Sequence, residues 1–146
     1  MITKSVEDYL EAIYNLIEKK GYARTIDIAN HLKIRSTSVT EMLQKLDKEG
    51  FIIYEKYRGI KLTSKGEEIA KSVKKRHEIL ARFLEILGVE REIAEEDACS
   101  IEHSVHPETM ERLSKFVEFV SSAPKDPKWL EHFEHYVRTG EHPECE

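Results

Sequence analysis

From Ser5 to Lys20 the apolar side chains fall at Val6, Tyr9, Leu10, Ile13, Leu16 and Ile17, one stripe at a 3.6-residue period, and Gly21 ends it. Two short helices are predicted next. Thr25 caps the first, IDIANHL; the turn Lys33-Ile34-Arg35 follows, and Ser36 opens the second, which runs through Leu46 and ends at Gly50. A helix followed by two short ones across a tight turn is a helix-turn-helix. The segment FIIYEKYRGIKLT alternates about a Tyr-Arg-Gly turn and predicts a β-hairpin, a wing. Ser64, with Glu67 three residues on, is the expected capping box of a long helix from Lys65 to about Leu87. A helix from Glu90 to Val105 and another starting at Pro107 follow. The stretch 123–127 breaks the pattern, leaving an aromatic tail, WLEHFEHYV. The prediction is a mostly α fold with a small β-wing: an N-terminal winged helix-turn-helix over residues 1–70, then an all-helical domain over 71–146.

Composition refines this picture. A chain of 146 residues can bury a real core as one domain or two small ones. No apolar run approaches the roughly 18 residues of a membrane span, so a soluble, cytoplasmic protein with no membrane partner is expected. Cys99 and Cys145 form no CxxC pair or bridge framework and are read as reduced thiols. Charge is the informative quantity. The net −5 conceals two unlike halves: residues 1–75 hold 15 Lys and Arg against 11 Asp and Glu, whereas residues 76–146 hold 8 against 17. A basic half that can meet phosphates is joined to an acidic half rich in His and carboxylates.

The second helix of the motif begins Ser36-Thr37-Ser38-Val39-Thr40 and continues through Gln44, Lys45 and Lys48. Small hydroxyl residues let a helix approach closely and bond phosphates or base edges; Gln can read adenine, and Arg35 or Lys45 can reach guanine or backbone. Lys56, Tyr57 and Arg58 sit at the hairpin tip, where a basic turn touches the flanking groove. Thr25, at the start of the preceding helix, completes the expected DNA-contacting set. The competing reading is that the hydroxyls only cap and the charges only solvate. The ordered series of turn, capped helix and basic-tipped wing favours double-stranded DNA as the partner. Glu41 runs against it, since it repels phosphate unless it accepts from cytosine.

Cys99, Glu102 and His103 stand at i, i+3 and i+4, which places a thiolate, a carboxylate and an imidazole on one helical face. Such donors suit a transition metal rather than Mg²⁺ or Ca²⁺. A solvated surface trio is the alternative. Asp8 and Glu11, also i, i+3, lie opposite the first helix's apolar stripe and by themselves read as surface acids; His77, beside the stripe of the long helix, is equally unspecific alone.

The whole chain resembles the diphtheria-toxin-repressor family of metalloregulators, and its shorter branch, the manganese transport regulators, in particular. The resemblance rests on VEDYLEAIYNLIE, DIANHLKIRSTSVTEMLQKLDKEGFI, YEKYRGIKLTSKG, KKRHEILARFL and DACSIEHSV. It implies that the second domain binds metal and dimerises, and that the metal site is assembled from Asp8, Glu11, His77, Cys99, Glu102 and His103. Manganese-type members carry a carboxylate where this chain has Cys99, and iron-type members carry cysteine there but methionine where this chain has Asp8, so the site is a hybrid. Iron-type members also have an ancillary site using the equivalent of His77 with a glutamate one turn on and a histidine before the triad; here those two places hold Ala81 and Glu95. A pair of metals sharing Glu11, His77 and Glu102 is expected instead, and the chain ends before the third, SH3-like domain of the longer iron regulators.

The expected function is therefore that of a homodimeric repressor on a palindromic operator. It is activated by Fe(II) first and Mn(II) second, at one or two ions per subunit, with no organic cofactor, and it controls metal-uptake genes. A metal-independent winged-helix regulator sensing an organic ligand would share the first 65 residues. A metal-dependent hydrolase is disfavoured by the lack of an HExxH motif or a nucleophile in a glycine-rich turn. The tail is expected to pack through Trp129, Leu130, Phe133 and Tyr136 with solvated histidines; a further metal on His132, His135, His142 and Cys145 is the other option.

Overall fold

The computed structural model describes residues 2–55, 57–125 and 127–144, so Lys56 and Cys145 lie outside the described residues. Among these residues the chain forms seven helices and one two-stranded antiparallel sheet. It divides into two compact units, residues 1–75 and 76–146.

The first unit holds α1 (Lys4–Lys20), α2 (Thr25–Leu32), α3 (Ser36–Lys48), β1 (Ile52–Glu55), β2 (Gly59–Leu62) and the first half of α4 (Ser64–Ile86). Its core takes in the predicted stripe of α1 through Val6, Leu10 and Ile13, together with Ile28 of α2, Val39, Leu43 and Leu46 of α3, and Ile52 and Ile60 of the hairpin. Gly21 takes the left-handed conformation at φ 84° and its N–H closes α1 on the Ile17 carbonyl. Lys33 does the same for α2 at φ 58°, which an L-residue adopts at a cost, and this produces the sharp entry into α3.

The start of α2 differs from expectation. Arg24, not Thr25, is the N-cap; the Asp27 carboxylate accepts its backbone N–H at 3.2 Å, and Thr25 is already inside the helix. A one-residue shift of the same kind occurs at α4, where Thr63 rather than Ser64 caps. Its hydroxyl oxygen accepts the Gly66 N–H at 3.2 Å and donates to the Gly50 carbonyl at 2.7 Å, tying the helix start to the end of α3. The reason is packing. A Cβ at Gly66 would stand 2.0 Å from the Phe51 carbonyl oxygen, so this position must be glycine for α4 to lie against the wing. β1 and β2 pair in the register Ile52 to Leu62 through Glu55 to Gly59, and the Ile60 N–H also bonds the Ala23 carbonyl, which anchors the wing on the loop before α2.

The second unit contains the rest of α4 with α5 (Arg91–Ile101), α6 (Pro107–Ser121) and α7 (Lys128–Thr139). Leu80 and Ala81 of α4, Ala98 of α5 and Met110 of α6 form its core. Helix α5 ends at Ile101, not at Val105 as the periodicity suggested: Glu102 is its C-cap and His103 lies in the turn beyond. Phe83, Phe116 and Trp129 make a chain of ring contacts at 5.7 and 5.6 Å that attaches α7 to α6 and α4, yet no α7 residue is fully buried. No helix of the described residues is long and apolar enough to cross a membrane.

Candidate metal centre and DNA-reading face

The candidate metal centre lies where α5 meets the second half of α4. Ala94 and Ala98, one turn apart and both fully buried, let α5 approach closely, and Ala98 packs with Leu80 and Ala81. Beside the alanines run Glu95, Cys99 and Glu102 at i, i+4 and i+7, and His77 on α4 faces them. The ligand atoms of His77, Cys99 and Glu102 all lie within 4.8 Å of one another.

Glu102 is the unusual member. It is the single buried charged or polar residue among those described, at 0% exposure. Its Oε2 accepts from His77 Nδ1 at 2.9 Å; its Oε1 stands 3.3 Å from His103 Nε2 without accepting a hydrogen bond. A carboxylate taken out of water with one oxygen unsatisfied is expensive, and a cation there would satisfy it. The thiol of Cys99 is exposed at the rim, and the His103 side chain is 3% exposed. The set of thiol, imidazole and carboxylate fits a borderline transition metal.

Sequence reasoning missed the part Glu95 plays. It noted only that the position is not histidine, whereas the structure gives the Glu95 carboxylate to His77 Nε2. The spacing of Glu95, Cys99 and Glu102 was the available signal. Ala81, by contrast, is core and offers no ligand. Asp8 and Glu11 stand one turn apart on α1 of the first unit, both half-buried. His132, His135 and His142 join no three-ligand cluster among the described residues, and His142 stacks near Tyr136 at 4.9 Å.

With both ring nitrogens facing carboxylates, His77 is held as the imidazolium. The bond to Glu102 is the largest cause, burial opposes it, Glu95 adds to it, and the result is a pKa near 9. A histidine raised in this way contributes stability to the metal-free protein that is fully present below the ordinary imidazole range and is lost as pH rises through about 9. A metal held by His77 would have to displace that proton. Apparent Mn(II) affinity is accordingly expected to rise at least about tenfold per pH unit between roughly pH 6.5 and 8, as measured by competition with a chelating dye. A flat profile would show that His77 gives up no proton to the metal.

The candidate DNA-reading face lies on the first unit. Helix α3 buries Val39, Leu43 and Leu46, and the opposite stripe, Thr37, Glu41, Gln44 and Lys48, is exposed, with Lys45 and Ser38 beside it. Arg35 is its exposed N-cap and makes no side-chain cap bond to the N–H groups that open the helix. Thr40 is less available than expected, since its hydroxyl donates to the Ser36 carbonyl at 3.0 Å. At the wing tip Tyr57 is 94% exposed in the left-handed conformation at φ 75°. Arg58 beside it is also exposed and only 3.7 Å from Glu55.

Residues 1–60 match the family described as "Iron dependent repressor, N-terminal DNA binding domain", and residues 63–131 match "Iron dependent repressor, metal binding and dimerisation domain". The chain belongs to the iron-dependent repressor family. It is 50% identical over 119 residues to the HTH-type transcriptional regulator MntR of Bacillus subtilis, covering 82% of this chain and 84% of that one. To MntR of Lysinibacillus sphaericus it is 46% identical over 131 residues, 90% and 94% of the two chains. Among solved structures, the manganese regulator SloR aligns with a TM-score of 0.68 at 32% identity over 82% of this chain; this chain spans 55% of SloR's length. As a member of the iron-dependent repressor family the protein is a metal-dependent transcriptional repressor and not an enzyme, with a DNA-binding domain followed by one that binds metal and dimerises.

Proposed function

We propose that the metal is held by His77, Cys99, Glu102 and His103 together with Asp8 and Glu11, at one or two ions per subunit. Fe(II) is the preferred activator and Mn(II) the second. The observation that carries this reading is the convergence of His77, Cys99 and the buried Glu102 within 4.8 Å. Cys99 brings a soft donor into an otherwise hard set, which favours Fe(II) over Mn(II); the likeness to SloR, described as a manganese regulator, supports Mn(II) as the alternative. When bound, the metal supplies a charge that neutralises the carboxylates and joins ligands from different parts of the chain.

Asp8 and Glu11 belong to residues 1–75, and His77, Cys99, Glu102 and His103 to residues 76–146. A metal drawing on both sets selects one arrangement of the DNA-binding units among several. In a homodimer that arrangement would place two α3 helices about one DNA turn apart, roughly 34–36 Å, to fit a palindromic operator. The regulated genes would be those of metal uptake, in the cytoplasm, and no organic cofactor is invoked. Thr25, Arg35, Ser36, Thr37, Ser38, Thr40, Gln44, Lys45, Lys48, Tyr57 and Arg58 are the proposed DNA contacts.

The test is operator binding by fluorescence anisotropy under anaerobic conditions, titrated with Fe(II), Mn(II) and Mg(II) and reversed by a chelator. Specific binding is expected only with Fe(II) or Mn(II), with a weak, steeply salt-dependent residue in the apo protein. Thr37→Ala or Gln44→Ala should weaken it by about 1–3 kcal/mol without altering metal affinity. Equal operator affinity with and without metal would overturn the reading.

A further inference from the structure

An imidazole offers a metal only the nitrogen that carries no proton, and metal-ligating histidines commonly donate their other N–H to a carboxylate that fixes the tautomer and raises basicity. His77 has a carboxylate at each nitrogen: Glu102 at Nδ1, 2.9 Å away, and Glu95 at Nε2. The two are not equivalent. The Glu102 side chain is 1% exposed and has a second oxygen that accepts no hydrogen bond, whereas the Glu95 side chain is 46% exposed. A cation gains most from the first and least from the second, whose charge water already solvates.

We propose that Glu95 is a positioning residue for the metal: its carboxylate holds the Nε2–H of His77 and so assigns Nδ1, the nitrogen facing Glu102, as the metal-binding atom. This rests on the metal centre proposed above and adds to it a residue of α5 that binds no metal itself. The arrangement follows from one helix face. Glu95 and Cys99 are one turn apart, and Glu102 follows at the end of the same stripe. Helix α5 thereby supplies both the carboxylate that orients the ring and the groups that share its metal. In the loaded protein one proton has left Nδ1 for solvent, and the other stays between Nε2 and Glu95.

The test uses the full chain with Co(II) and Zn(II) as probes. Long-range ¹H–¹⁵N spectra of the Zn(II)-loaded protein should show His77 protonated at Nε2 and metal-bound at Nδ1. Glu95→Ala should weaken Co(II) binding about 10- to 100-fold. The stoichiometry and the Cys99 thiolate-to-Co(II) charge-transfer band should be unchanged. Glu95→Gln, whose amide oxygen still accepts the Nε2–H, should recover part of the loss. Metal on Nε2, wild-type affinity in Glu95→Ala, or the loss of one equivalent of metal in that variant would each overturn the proposal. If Glu95→Ala does not fold, the tautomer in wild type and in Glu95→Gln decides. Wild-type protein that binds Co(II) without the thiolate band would instead sink the proposed metal centre, a result distinct from failure of the Glu95 role.

Discussion

Replacing Glu102 by Gln is expected to abolish the metal response while leaving a folded protein. The side chain keeps its volume and can still accept from His77 Nδ1, but it loses its charge at the one fully buried polar position described. In the metal-free protein this weakens a charge-assisted hydrogen bond, at a cost of about 1–3 kcal/mol. That is tolerable against the roughly 5–15 kcal/mol of a typical domain. In the metal-bound protein it removes the ligand that both His77 and His103 approach. Changes to groups that merely support a ligand already cost about 10- to 100-fold in metal affinity, so the loss here should exceed 100-fold. Thermal unfolding separates the two effects. At one hundred times its dissociation constant a metal stabilises the wild type by about 2.7 kcal/mol, or roughly 5–10 °C for a chain of this size. The Glu102→Gln melting temperature should hardly move with metal. A variant that kept the wild-type shift and metal-dependent operator binding would show that Glu102 is a structural acid.

The same residue marks where sequence stops being informative. The stripe Val6-Leu10-Ile13, the turn at Lys33 and the alternation of the wing were legible, because burial of one helical or strand face repeats at a fixed period and a turn interrupts it. Helix ends were less so. Thr25 and Ser64 each looked like caps, yet the caps are Arg24 and Thr63, since Asp27 bonds back to the Arg24 N–H and the close approach of Gly66 to Phe51 fixes where α4 begins. The triad Cys99, Glu102 and His103 was visible as spacing, but the ending of α5 at Ile101, with Glu102 as its C-cap and His103 in the turn beyond, was not, since the apolar spacing ran on to Val105. Glu95 was read only as the absence of a histidine. Its pairing with His77 depends on how closely Ala94 and Ala98 bring α5 to α4, which no single-chain periodicity encodes.

Exchanging Cys99 for Glu is expected to move activation from Fe(II) toward Mn(II). Cys99 is exposed at the rim of the cluster, so the longer carboxylate can be accommodated without repacking, and the substitution changes donor chemistry more than shape. Thiolate strengthens binding along the series from Mn(II) to the later metals more steeply than oxygen does. Replacing it leaves His77 and His103 as nitrogen donors among carboxylates. The proposed preference for Fe(II) over Mn(II) should then fall by roughly an order of magnitude, about 1.4 kcal/mol of selectivity. Absolute Mn(II) affinity should hold or rise. Cys99→Ser is the control: it removes the soft donor without supplying a carboxylate, so it should weaken both metals and lose the preference without gaining Mn(II) response. The measurement is operator binding by wild type and both variants, titrated anaerobically with each metal. If the wild type responds to Mn(II) at least as well as to Fe(II), and Cys99→Glu leaves the ratio unchanged, selectivity is set by geometry among the oxygen ligands and not by the thiolate.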